Sequence, residues 1–153
     1  MNSLIKMLAA DSCRGVARSQ DGRLIRFTRR GVADLFSLVT ENPSFLNGAS
    51  VADRVIGRGA ALLLVLGGVA NVYAQVISKG ALGVLSRAGI SVSYGTVVPH
   101  IINRAGTGIC PVEQLTAQTD SPEEAYVLIK QFIESHATAQ QNASSMKNDD
   151  KKD

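Results

Sequence analysis

The sequence predicts an α/β domain, a three-layer α/β/α sandwich around a mixed sheet. Three observations carry this. Apolar, β-branched segments at Val51–Asp53, Val72–Ile77 and Val92–Val97 alternate with stretches of helical period, the pattern of βαβ units and parallel strands. A hairpin signal, Asp21-Gly22 between two apolar runs, adds antiparallel strands in front of them. A parallel sheet exposes two apolar faces, so helices must cover both.

The elements follow in order. Asn2-Ser3 before Leu4, Ile5, Met7 and Leu8 predicts a short capped amphipathic helix. Strands are expected near Cys13–Arg18 and Leu24–Thr28, joined through Asp21-Gly22 in a type I′ turn. From Gly31 to Glu41, Val32, Leu35, Phe36, Leu38 and Val39 fall at helical spacing, and Asn42-Pro43 ends the run; Ser44–Gly48 reads as a loop. After the strand ending at Asp53, Val55–Leu66 predicts a helix apolar on nearly all sides, closed by Gly67-Gly68. Ser78 is placed to cap a helix over Lys79–Ala88, which Gly89 terminates. Ile101–Gly108 is irregular. Cys110-Pro111 and Ser121-Pro122-Glu123-Glu124 each mark a helix start, with proline at the first helical position.

The 153 residues suit one domain, residues 1–137. Beyond it Thr138–Asp153 is Gln, Asn, Ser, Lys and Asp with little apolar content, and is expected to be a disordered tail. The 45% apolar and 19% charged residues are ordinary for a globular chain. A membrane span is not expected, because the uncharged stretch Gly59–Ser78 is interrupted by Gly67-Gly68, Asn71 and Gln75. There is no signal-peptide pattern, and the two cysteines, Cys13 and Cys110, are expected free in a reducing, cytoplasmic compartment. Nucleic acid is not an expected partner: the early arginines Arg14, Arg18, Arg23, Arg26, Arg29 and Arg30 have no aromatic platform beside them except Phe27.

Chemistry in an open α/β sheet sits where strands lead into helices. Three such junctions mix small residues with reactive or charged ones: Asp53-Arg54 with Gly57-Arg58, Ser78-Lys79, and the stretch from Pro99-His100 to Glu113. Asp53 could act as a general base, or balance a helix dipole. Arg54 and Arg58, read as one helical face, could clamp an anion. Ser78 reads as a cap, whereas Lys79 at a helix start opposes the dipole, which marks it for function. Cys110 at an N-cap is the sharpest nucleophile candidate, with His100 and Arg104 near in sequence to stabilise a thiolate. Against this, a lone cysteine commonly packs as a small hydrophobe. Glu113 at the third helical position suits a capping-box contact. Asp53, Lys79, Arg104 and Cys110 are expected to converge on one pocket.

Three segments, VADRVIGRGAALLLVLGGV (Val51–Val69), VYAQVISKGALGVL (Val72–Leu85) and VVPHIINRAGTGICPVE (Val97–Glu113), resemble a family of uncharacterised bacterial and archaeal proteins with a cytidine-deaminase-like fold. The resemblance runs from about Arg14 to Leu115 and implies a mixed five-stranded sheet. Deaminases of that fold carry zinc ligands at the starts of the second and third core helices, as H/C-x-E and PCxxC motifs. The corresponding stretches here, ADRVIGRGA and ISKGAL, hold no Cys or His, so neither metal nor cofactor is expected. Two classes of function remain. One is an enzyme or binding protein for a small anionic, nucleotide-like or acyl molecule, with Cys110, Asp53 and Lys79 as catalytic candidates and Arg54, Arg58, Ser78, His100, Asn103, Arg104 and Glu113 as ligand contacts. The other is a non-catalytic ligand-binding or assembly module, self-association included.

Overall fold

The computed structural model describes residues 1–10, 12–29, 32–103 and 105–136. Arg104 and the tail expected at 138–153 therefore lie outside the described residues. Five strands form one mixed sheet: β1 (Gly15–Arg18), β2 (Leu24–Phe27), β3 (Ser50–Ile56), β4 (Asn71–Ser78) and β5 (Ser91–Val98), in the order β2-β1-β3-β4-β5. β1 pairs antiparallel with β2 and β3, and β3, β4 and β5 are parallel. The helices are α1 (Asn2–Ala10), α2 (Ala33–Glu41), α3 (Pro43–Leu46), α4 (Arg58–Gly67), α5 (Lys79–Arg87), α6 (Pro111–Thr116) and α7 (residues 122–136).

Alternating strand residues feed two cores. On one face Ala17, Val51, Val72 and Ala74 join the apolar sides of α2, α4 and α5. On the other Val16 and Ala52 pack under Leu4 and Leu8 of α1. Each α1 leucine is fully or nearly fully buried, a contribution of about 2 kcal/mol apiece. The two crossovers β3-α4-β4 and β4-α5-β5 step the same way across the sheet, which places α4 and α5 side by side on one face. α1 packs on β1 and β3 alone among the strands it chiefly contacts, so its layer stops short of β5.

The three parallel strands share an irregular column. The paired register passes over Arg54, Gln75 and Gly95, and beyond it core positions switch from even to odd spacing: Val51 to Ile56, Val72 to Ile77, Val92 to Val97. In β5 the shift falls at Gly95, after Tyr94, which pairs with Ala74 and is 46% exposed at the edge of the sheet. Glycine at position 95 is required by this column, since a Cβ there would lie 2.8 Å from the Gln75 carbonyl oxygen.

Several local expectations are corrected. The hairpin loop is three residues long rather than two: Gly22 N–H donates to the Ser19 carbonyl, and only Gly22, not Asp21, takes a positive φ (+93°). That is a type I turn followed by a left-handed glycine, where type I′ needs two positive φ angles. Pro43–Leu46 forms a helical turn instead of a loop, seating Phe45 and Leu46 in the core. The largest change is at Val55–Leu66: β3 continues through Ile56, and the helix starts at Arg58. Strand pairing to β4 on one side overrides the helical reading of Val55-Ile56. No helix among the described residues is long and apolar enough to cross a membrane.

Candidate functional site

The C-terminal ends of β3 and β4 deliver two helix N-termini to one place, and a carboxylate from α6 sits between them. Glu113 is 6% exposed. Its Oε1 accepts from the Arg58 amide at the start of α4 (2.9 Å) and from the Ser78 hydroxyl, the N-cap of α5 (2.6 Å). Its Oε2 accepts from the Ile101 amide, just beyond β5. The Ser78 oxygen in turn accepts from the Ala81 amide (3.2 Å), closing the α5 cap. Helix N-termini attract anions through unpaired amides and the dipole. Here the anion is the chain's own.

The surroundings fit this side chain closely. A Cβ on Gly57 would meet Glu113 Cγ at 3.1 Å and Ile101 Cγ1 at 3.2 Å. A Cβ on Gly59 would lie 2.4 Å from Val112 Cγ1. Glycines at 57 and 59 thus let α6 press its Val112-Glu113 pair onto the start of α4. Arg58 holds the other end of α6: Nε donates to the Thr116 carbonyl (2.9 Å), and Nη2 to the Thr119 carbonyl and the Asp120 carboxylate (both 2.6 Å). With its side chain 14% exposed, Arg58 is bound within the chain rather than offered to an anion.

The other sequence candidates are distributed as follows. Asp53 is corrected from a helix junction to the interior of β3, paired with Gly15 of β1 and Ala74 of β4. Arg54 is corrected likewise: it does not share a helix face with Arg58, and it ties α1 to the sheet through the carbonyls of Cys13 (2.9 Å) and Leu8 (2.7 Å). Lys79 opens α5 and is exposed, as is His100. Asn103 folds a tight turn, its side chain bonding the amide and hydroxyl of Thr107 (3.1 Å each). Cys110 stands at the N-cap of α6 but makes no capping bond; it is half-buried against the main core. Glu113 does occupy the third position of α6, but it caps α4 and α5 rather than its own helix. The structure therefore joins Arg58, Ser78 and Glu113, and puts Asp53 and Arg54 with α1, β1 and Gly15. The Ile101 amide belongs to the first group; a backbone donor leaves no trace in residue type, so the sequence could not single it out.

Asp53 has its own chemistry. Its Cγ lies 3.2 Å from where a Gly15 Cβ would stand, on the side of Phe27. Desolvation pushes its carboxyl up to about 7, against amide hydrogen bonds from Val55 and Arg54 and the charges of Arg14 and Arg54. The unfolded chain ionises near 3.8, so between about pH 4 and pH 7 the folded form holds the extra proton. Stability falls as pH rises through that window. The side chain is half-buried, so we expect a loss of about 2 kcal/mol, roughly half of what the same displacement carries in a sealed site. Asp53→Asn is expected to flatten the slope, read as urea midpoints at pH 5 and pH 8; an unchanged slope would refute the assignment.

Among the described residues no group of three or more His, Cys, Asp or Glu could hold a metal ion. At the starts of α4 and α5 stand Gly57, Arg58 and Gly59, and Ser78, Lys79 and Gly80; the Glu113 carboxylate between them has both oxygens engaged by amide and hydroxyl donors. These residues do not fit a zinc ion. A concavity of about 600 Å³, wide open, lies elsewhere among the described residues, lined by Ser12, Cys13, Arg26 and Thr28.

Residues 3–133 match the family described as TM1506, a domain of unknown function (DUF1893). The match extends past Leu115, the expected end of the resemblance, and takes in most of α7. The fold is similar to the crystal structure of a DUF1893 family protein (TM1506) from Thermotoga maritima, at 28% identity and a TM-score of 0.76, covering 85% of this chain and 87% of that one. Among curated proteins no relative matches the chain.

Proposed function

Because this chain belongs to the TM1506 family of domains of unknown function, its activity has to be argued from its own residues, and we propose that it is a non-catalytic interaction module on a deaminase-like scaffold. One observation carries this reading: the Glu113 carboxylate fills the position between the α4 and α5 N-termini where the deaminase resemblance would seat a metal and substrate. A buried carboxylate with three donors is a structural group, because removing it strands those donors. Arg58 and Ser78, two of the anion-binding candidates, are spent holding α6 and Glu113. Cys110, the candidate nucleophile, packs against apolar side chains.

The alternative, a small anionic ligand bound or turned over at this place, requires Glu113 to be displaced. Two measurements on the full chain separate the readings. Thermal melts with phosphate, nucleosides and nucleoside monophosphates are expected to show no saturable rise in Tm. Cys110 is expected to alkylate no faster than a free thiol peptide, with Cys13 replaced by Ala to isolate it. A saturable stabilisation lost in Lys79→Ala, or alkylation at least about tenfold faster than the peptide, would favour an enzyme instead.

A further inference from the structure

The two edges of the sheet differ in a way that the Glu113 site does not explain. At one edge β2 has four residues and carries Arg26 within it and Arg23 just before it. Short, charged edges are how a monomer resists strand addition. At the other edge β5 runs for eight residues, SVSYGTVV, with no charge and no proline. Ser91, Ser93, Tyr94, Gly95 and Thr96 are all exposed, and the outer backbone groups of β5 have no partner among the described residues. The row Ala52–Tyr73–Ser93 is covered by α1 at Ala52 and open at Ser93. Both the edge and the adjoining part of one sheet face are therefore uncovered.

We propose that β5 is the contact through which two copies of this chain associate, antiparallel about a two-fold axis near Tyr94, to make a continuous ten-stranded sheet. The occupant must present a strand of similar length that brings no charge to an uncharged edge. A second β5 does so, residue for residue, and juxtaposes no like charges in spite of the chain's net +3. A two-fold contact is self-complementary and closes at two, consuming the edge that would otherwise propagate. Each copy also lays its uncovered β5 face beside that of the other, and Tyr94 supplies an aromatic group at the centre, the residue type favoured there. This inference goes beyond the reading of the Glu113 site and stands or falls separately from it.

The test is sedimentation or light scattering of the full chain at about 100 µM, enough to saturate an interface of micromolar affinity. A mass near twice the 16.2 kDa chain is expected. Hydrogen exchange should show protected β5 amides that lose protection on dilution. The double change Tyr94→Lys with Thr96→Lys, two exposed positions, should leave the circular dichroism unchanged and weaken association at least about tenfold by placing like charges across the axis. Because an edge variant could lose structure, Tyr94→Cys provides an independent check: oxidation should yield a covalent dimer. A wild-type monomer at this concentration overturns the proposal. So does a dimer that survives the double lysine change, or a monomer whose β5 amides are already protected by another segment of the chain.

Discussion

Replacing Glu113 by alanine is expected to cost about 3 kcal/mol or more, read as a fall in Tm of roughly 10 °C. Three donors lose their acceptor at once: the Arg58 amide, the Ser78 hydroxyl and the Ile101 amide. They come from three different strand ends, so the loss loosens α4, α5 and the chain after β5 together. Glu113→Gln is the informative companion. Its carbonyl oxygen can still serve Arg58 and Ser78, but its amide nitrogen then faces the Ile101 N–H, donor against donor. A loss near half that of alanine is expected. If both changes are neutral in the melt, Glu113 is not holding the strand ends together.

Gly59→Ala should destabilise by about 2 kcal/mol, although alanine in a helix is ordinarily worth up to about 1 kcal/mol over glycine. The added methyl would stand 2.4 Å from Val112 Cγ1 and 3.4 Å from Ile129 Cδ1. Valine is stiff at χ1, so α6 must back away and draw Glu113 with it, and overpacking of this kind costs ~1–3 kcal/mol. Gly80→Ala makes the contrast. There the nearest atom is Arg58 Cδ at 3.6 Å, an ordinary contact, and stabilisation by up to about 1 kcal/mol is expected. Adding Val112→Ala to Gly59→Ala should recover part of the loss, a coupling that denaturant melts of the four variants in the cycle would read directly.

The parts of the fold visible in the sequence were those written in period and punctuation. The three parallel strands, the hairpin and the α5 cap at Ser78 follow from apolar spacing, Asp21-Gly22 and a serine before a helical run. The strand end at Ile56 was hidden, because Val55-Ile56 suits either a strand or a helix and its pairing with Val76-Ile77 decides. The three-residue extension of β3 from Asp53 to Ile56 moved Asp53 and Arg54 out of the candidate junction and left Arg58 in it. The shift in parity at Arg54, Gln75 and Gly95 was equally invisible, since it is a property of three strands in register. At the site, residue types indicated Arg58, Ser78 and Glu113 as polar groups near helix starts. Their roles were not legible, because a glutamate at the third position of α6 suits its own helix as well as two others, and only the packing at Gly57 and Gly59 selects between them.

Glu113 is bonded at the α4 and α5 N-termini, and no exogenous anion is expected to take its place there. The most direct measurement follows the Arg58 and Ile101 amide resonances by NMR while phosphate and nucleoside monophosphates are titrated into the wild-type chain. Both resonances are predicted to stay in place throughout, and to move together in Glu113→Gln without added ligand. A saturable shift of both amides in the wild type would instead show a ligand entering between the helices and displacing Glu113.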